Sequence, residues 1–240
     1  MLFSILQGGD WQDILINLLL TLPVIFLALS FHEAAHGFIA YKMGDRTAYN
    51  LGRVTLNPLK HLDPWGSLWM LVFGYGWAKP VRINARNFRD PKKGMAYTAI
   101  AGPIANLILG LIGTLLYSAT TYILTSNIIF FASEGNEFLF RVTVILWNFF
   151  YLFAIMNLTL MVFNLIPIPP FDGSRFFGLF LPQKTYFAIM KYERYTLIAI
   201  LVISFLCSRF FGFSPAFWVA ERLFDFISGG IFRLLGIILH

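Results

Sequence analysis

His32, Glu33 and His36 stand in the run Phe31-His32-Glu33-Ala34-Ala35-His36-Gly37, an HExxH pattern. Residues i and i+4 share one face of a helix, so the two imidazoles can reach one metal ion. Glu33 lies beside them, where a carboxylate can take a proton from water. The surrounding residues, from about Ile14 to Tyr41, are almost all apolar. A charged side chain at the centre of a membrane helix costs about 2.5–3.5 kcal/mol on insertion scales, so the cluster demands pairing or ligation. A structural polar cluster near a helix end is the bland alternative.

Two imidazoles do not complete a catalytic zinc site, which has three protein ligands and an open position. Asp172 is the best third candidate from the residues themselves. It ends the run Asn164-Leu165-Ile166-Pro167-Ile168-Pro169-Pro170-Phe171-Asp172-Gly173, whose prolines break a helix and whose Asp-Gly makes a turn. His61, in Asn57-Pro58-Leu59-Lys60-His61-Leu62-Asp63-Pro64, competes for the same role.

The elements that carry these residues are membrane helices. The chain has 240 residues, 58% hydrophobic and only 12% charged. A soluble domain carries about 25% charged residues, so the expected solvent is a lipid bilayer. The single cysteine, Cys207, excludes an internal disulfide and a cysteine-based metal cluster. Residues 1–13 lack Lys and Arg, and no small-residue cleavage site follows, so the first apolar run is expected to be retained. Four segments suit spans, at about Ile14–Tyr41, Met95–Tyr122, Val142–Ile166 and Tyr195–Phe211. A fifth, about Phe217–Leu239, carries Glu221, Arg222, Asp225 and Arg233, and either spans or lies in the interface.

Between the first and second spans, Arg53–Leu56 and Val81–Asn84 alternate as strands do. Ser67–Ala78 is apolar but too short to cross, which suits a re-entrant or interfacial segment. The expected fold is an all-α polytopic membrane protein. It has four to five transmembrane helices and a membrane-associated β-hairpin or re-entrant segment between the first two. Residues 1–240 form one domain, with a core at about 14–175 and C-terminal helices at about 195–240.

Ten of the 18 Lys and Arg fall between Lys42 and Lys93, while residues 123–138 hold Glu134 and Glu137 and no basic residue. Basic loops stay inside, so residues 42–94 and 167–194 are expected in the cytoplasm. The net charge of +6 therefore reads as topology, with no nucleic-acid partner expected.

These residues resemble the site-2 proteases, the intramembrane zinc metalloproteases of peptidase family M50, in their short bacterial form. The resemblance rests on FHEAAHG at 31–37, AGPIANLILG at 101–110 and FNLIPIPPFDG at 163–173. GRVTLNPLKHLDPWG and GWAKPVRINARNF add to it, and no PDZ or CBS module is visible. It implies His32, His36 and Asp172 as ligands of one Zn2+, Glu33 as general base, and Asn164 as a donor to the oxyanion. It also implies a transmembrane protein as substrate and a bacterial cytoplasmic membrane as location, and the basic loops set the site opening toward the cytoplasm. The rival readings are a divalent-metal transporter and a non-catalytic zinc-binding membrane protein. A serine protease is disfavoured because no GxSxG occurs.

Overall fold

The structure, a computed structural model, describes residues 11–66, 78–127, 130–131, 135–211 and 214–238. Three helices are long and apolar enough to cross a membrane: α1 (Trp11–Met43, apolar from Leu18), α3 (Pro91–Ser126) and α4 (Glu137–Asn164). A short α2 (Thr47–Asn50) follows α1. After α4 come α5 (Asp172–Phe177), α6 (Gln183–Met190), α7 (Glu193–Phe211) and α8 (Pro215–Ile238). Helices dominate because a bilayer offers backbone groups no water, so each must be bonded within its own segment.

Local chemistry sets the helix ends. α1 closes where Gly44 N donates to Tyr41 O and Asp45 N donates to Ala40 O, the paired bonds of a Schellman stop. α3 opens with Asp90 accepting from the Lys92 and Lys93 backbone amides, and Pro91 sits in the first turn, where no amide is needed. α3 packs against both α1 and α4. On α4 the buried apolar residues are Phe153, Ala154, Ile155, Leu158 and Met161. α8 lays Ala220 and Phe224 on that face, and the Phe224 ring meets Tyr117 of α3 and Tyr151 of α4. The regions expected as fourth and fifth spans are thus helical, as α7 and α8.

Among the described residues there is no strand, only an isolated bridge between Leu62 and Ala78. Residues 53–56 and 81–84 are irregular, against the strand expectation. Arg53 N turns back to the Ala48 carbonyl, and in 81–84 two backbone amides are taken by side chains. Val81 N donates to Glu33 Oε2 and Asn84 N donates to Asp45 Oδ2. The re-entrant expectation for Ser67–Ala78 lies outside the described residues except at Ala78.

Asp45 ties this loop to the end of α1. Fully buried, it accepts from Thr47 N, Thr47 Oγ1, Asn84 N and Asn87 Nδ2. Burial alone would raise its carboxyl, but these donors outweigh it and hold the group below the usual carboxylate range.

Candidate active site

His32 and His36 lie one turn apart on α1, both buried. α3 passes beside them and fixes each ring from behind. Asn106 Oδ1 accepts from His32 Nδ1 at 2.5 Å, and the Thr98 carbonyl accepts from His36 Nδ1 at 2.7 Å. With both Nδ1 atoms donating, each Nε2 is left as a bare lone pair, the form in which imidazole binds a metal. Holding a ring by its far nitrogen is the usual device for orienting a metal-binding histidine.

The two Nε2 atoms are 3.0 Å apart. Asp172 Oδ2 sits 3.1 Å from His32 Nε2 and 3.2 Å from His36 Nε2. Three lone-pair atoms this close repel one another unless a cation lies among them. Tetrahedral zinc, with bonds of about 2.0–2.2 Å, sets its ligands roughly 3.3–3.5 Å apart, so this donor set fits zinc by chemistry and spacing.

Asp172 reaches the site because the chain turns sharply after α4. Residues 165–171 carry three prolines, the Pro169-Pro170 bond is cis, and Thr196 Oγ1 of α7 donates to the Pro169 carbonyl. Phe171 packs on Phe163, and Ser174 donates to the Phe171 carbonyl, so α5 begins at Asp172. Gly173 is needed here. A Cβ would stand 2.3 Å from the Leu165 carbonyl oxygen, a backbone atom with no room to yield.

Glu33, half-buried next to the pair, has its Oε2 held by Val81 N at 2.8 Å. His61 is buried in the loop, where its Nε2 donates to Thr55 O. It is absent from the metal-ligating group found among the described residues, which holds His32, His36 and Asp172. Asn164 is the last residue of α4, and its amide Nδ2 donates to Leu160 O in its own helix.

Gly102, Asn106, the Thr98 carbonyl and the Val81 amide escaped the residue-level reading, although AGPIAN was in view. A glycine and an asparagine four apart in an apolar helix are a weak signal. Thr98 and Val81 contribute only backbone atoms, which leave none.

The model of the family described as Peptidase family M50 matches residues 20–207. The chain belongs to peptidase family M50. A Bacillus subtilis (strain 168) protein named "Putative zinc metalloprotease YwhC" is 41% identical over 182 residues, covering 75% of this chain and 78% of its own. A Mycolicibacterium smegmatis protein named "Putative zinc metalloprotease Rip2" is 26% identical over 207 residues, 83% of this chain and 71% of its own. Its Mycobacterium tuberculosis (strain ATCC 25618 / H37Rv) namesake is 27% identical over 214 residues, 87% and 73% respectively. No solved structure matches. This M50 member is a zinc metalloendopeptidase of the site-2 protease type with apolar, membrane-length helices.

Proposed function

We propose that this M50 peptidase hydrolyses a peptide bond in or near a transmembrane segment of a membrane-protein substrate, using one Zn2+ held by His32, His36 and Asp172. The observation that carries the reading is the convergence of the His32 and His36 nitrogens with an oxygen of Asp172, which lies 140 residues beyond His32. When bound, zinc supplies Lewis acidity toward the scissile carbonyl and toward water. Glu33 takes the proton of the attacking water and delivers it to the leaving nitrogen. Its Oε2 is anchored on Val81 N, which leaves Oε1 for the proton. A substrate helix must unwind first, because its scissile carbonyl is otherwise bonded within the helix. Incubation with single-span substrates tests the reading. Cleavage should stop with a chelator and return with zinc; chelator-insensitive cleavage, or none in repeated substrates, overturns it.

Removing one ligand separates Asp172 from His61. Asp172→Ala should lose zinc by more than the roughly 10–100-fold that follows loss of a mere ligand-orienting partner, and activity with it. His61→Ala should keep its zinc, because its ring bonds the Thr55 carbonyl. Metal analysis of both purified variants decides, and the reverse result would reassign the third ligand.

Asn164 is assigned as oxyanion donor on the family pattern. Its Nδ2 carries two hydrogens, so one can stay on the Leu160 carbonyl while the other is offered to the oxyanion. Asn164→Ala should slow turnover by roughly a hundred- to thousandfold at constant zinc. A variant that only melts earlier, by the ~1 kcal/mol of a lost helix cap, and cleaves normally leaves Asn164 structural.

The protein sits in a bacterial cytoplasmic membrane, with residues 42–94 and 167–194 in the cytoplasm, so the site opens inward. α7 and α8 bring the spans to four or five. In a Cys207→Ser background, externally added thiol reagent should label Asn136→Cys and spare Lys79→Cys. The opposite pattern inverts the topology.

A further inference from the structure

Behind His32 the polar contacts continue beyond Asn106. Asn106 Nδ2 donates to Asn157 Oδ1 of α4 at 2.8 Å and to the Ala28 carbonyl of α1 at 3.3 Å. Asn157 Nδ2 in turn donates to the Phe153 carbonyl at 2.8 Å. Both asparagines are fully buried.

This chain has one workable direction. The Phe153 carbonyl can only accept, so the Asn157 amide must turn its nitrogen there and its oxygen toward Asn106. Asn106 then faces two acceptors, the Asn157 oxygen and the Ala28 carbonyl, so its nitrogen points that way and its oxygen points at His32. Flipping Asn106 would oppose oxygen to oxygen twice and put N–H against the ring. His32 therefore carries its proton on Nδ1 and leaves Nε2 bare. With both amides fully buried, a wrong orientation would leave polar atoms unpaired at high cost.

We propose that Asn157 is a positioning residue for the metal site: acting through Asn106, it fixes the tautomer and ring orientation in which His32 binds zinc. The inference rests on the assignment of His32 as a ligand. It adds α4 to the elements that define the centre, although α4 itself donates no atom to the metal-ligating group. Asn148, on the same helix, is the control. Its Nδ2 makes the same kind of bond, to the Val144 carbonyl.

The test is zinc affinity, by chelator competition on purified full-length protein, independent of cleavage. Asn157→Leu should bind zinc roughly 10–100-fold more weakly, the usual cost of losing a partner that orients a metal-binding histidine. Asn148→Leu should match wild type. In an Asn106→Ala background, Asn157→Leu should add little further loss, because its route to His32 is already cut. If Asn157→Leu fails to fold, Asn157→Ser, whose short hydroxyl falls away from Asn106, takes its place and should show the same loss. Asn157→Asp should recover affinity, since a buried neutral carboxylic acid offers both an acceptor and a donor. Wild-type affinity in Asn157→Leu or Asn157→Ser overturns the proposal, as does an equal and additive loss in the Asn106→Ala background. If the two asparagines merely glue α3 to α4, the variants melt earlier and hold zinc normally. His32→Ala is measured alongside: wild-type zinc there defeats the ligand assignment itself, a different failure.

Discussion

Glu33→Gln should abolish proteolysis while the protein keeps its zinc and its fold. Glutamine has the same shape, and its amide oxygen can still accept from Val81 N, so the loop over the site keeps its anchor. What is lost is the second oxygen, replaced by an amino group that cannot take a proton. General-base loss costs about 10²–10⁴-fold in rate. The proposed ligands His32, His36 and Asp172 are untouched, so metal content should stay at the wild-type level. Glu33→Ala is a poorer test because it also frees the Val81 amide, mixing chemistry with loop disorder. Initial cleavage rates, metal analysis and a thermal melt on one preparation decide the matter. A rate within tenfold of wild type at full zinc would remove Glu33 from the mechanism.

Gly102→Ala should empty the metal site without touching any ligand. A Cβ at Gly102 would stand 2.5 Å from His32 Cε1 and from His36 Nε2, and 2.6 Å from His32 Nε2. Flexible side-chain ends normally give way to such an intrusion. These rings cannot, because Asn106 Oδ1 and the Thr98 carbonyl hold them, and both acceptors belong to the same helix as Gly102. Sliding α3 back to make room carries the acceptors away as well. The methyl also presses on an Nε2 lone pair that zinc needs. Loss of zinc should therefore exceed the roughly 10–100-fold of a lost ligand-orienting contact, with activity lost in step. Helix propensity runs the other way, since alanine is better than glycine inside a helix by about 0.8–1.0 kcal/mol. The variant should therefore stay folded while losing metal. Titration of bound zinc alongside a thermal melt separates the two effects, and a variant with full zinc would mean the rings have space the packing denies them.

Much of the site was open to reading from composition and spacing. The i, i+4 imidazoles share a face by helix geometry alone, wherever the helix sits. Low charge and long apolar runs call for a bilayer because no water-soluble core could hide them. The proline run before Asp172 has to leave the helical path. Each of these follows from local covalent geometry or bulk solvation, which the order of residues encodes directly.

The residues favoured Asp172 over His61, but where each side chain ends up was not encoded that way. Both sit beside prolines in loop sequence, and only packing brings the Asp172 carboxylate to the imidazoles while the Thr55 carbonyl takes the His61 ring. The alternating residues at 81–84 suggested a strand, yet period two says only which way side chains face. Their amides went to Glu33 and Asp45, side chains that sit 48 and 39 residues away. Asn106, Gly102 and the Thr98 carbonyl matter because α3 lies against α1 at one height and one rotation. Interhelical register is set by the summed fit of many apolar contacts, and a backbone carbonyl or a missing Cβ leaves no trace in the sequence of what lies beside it.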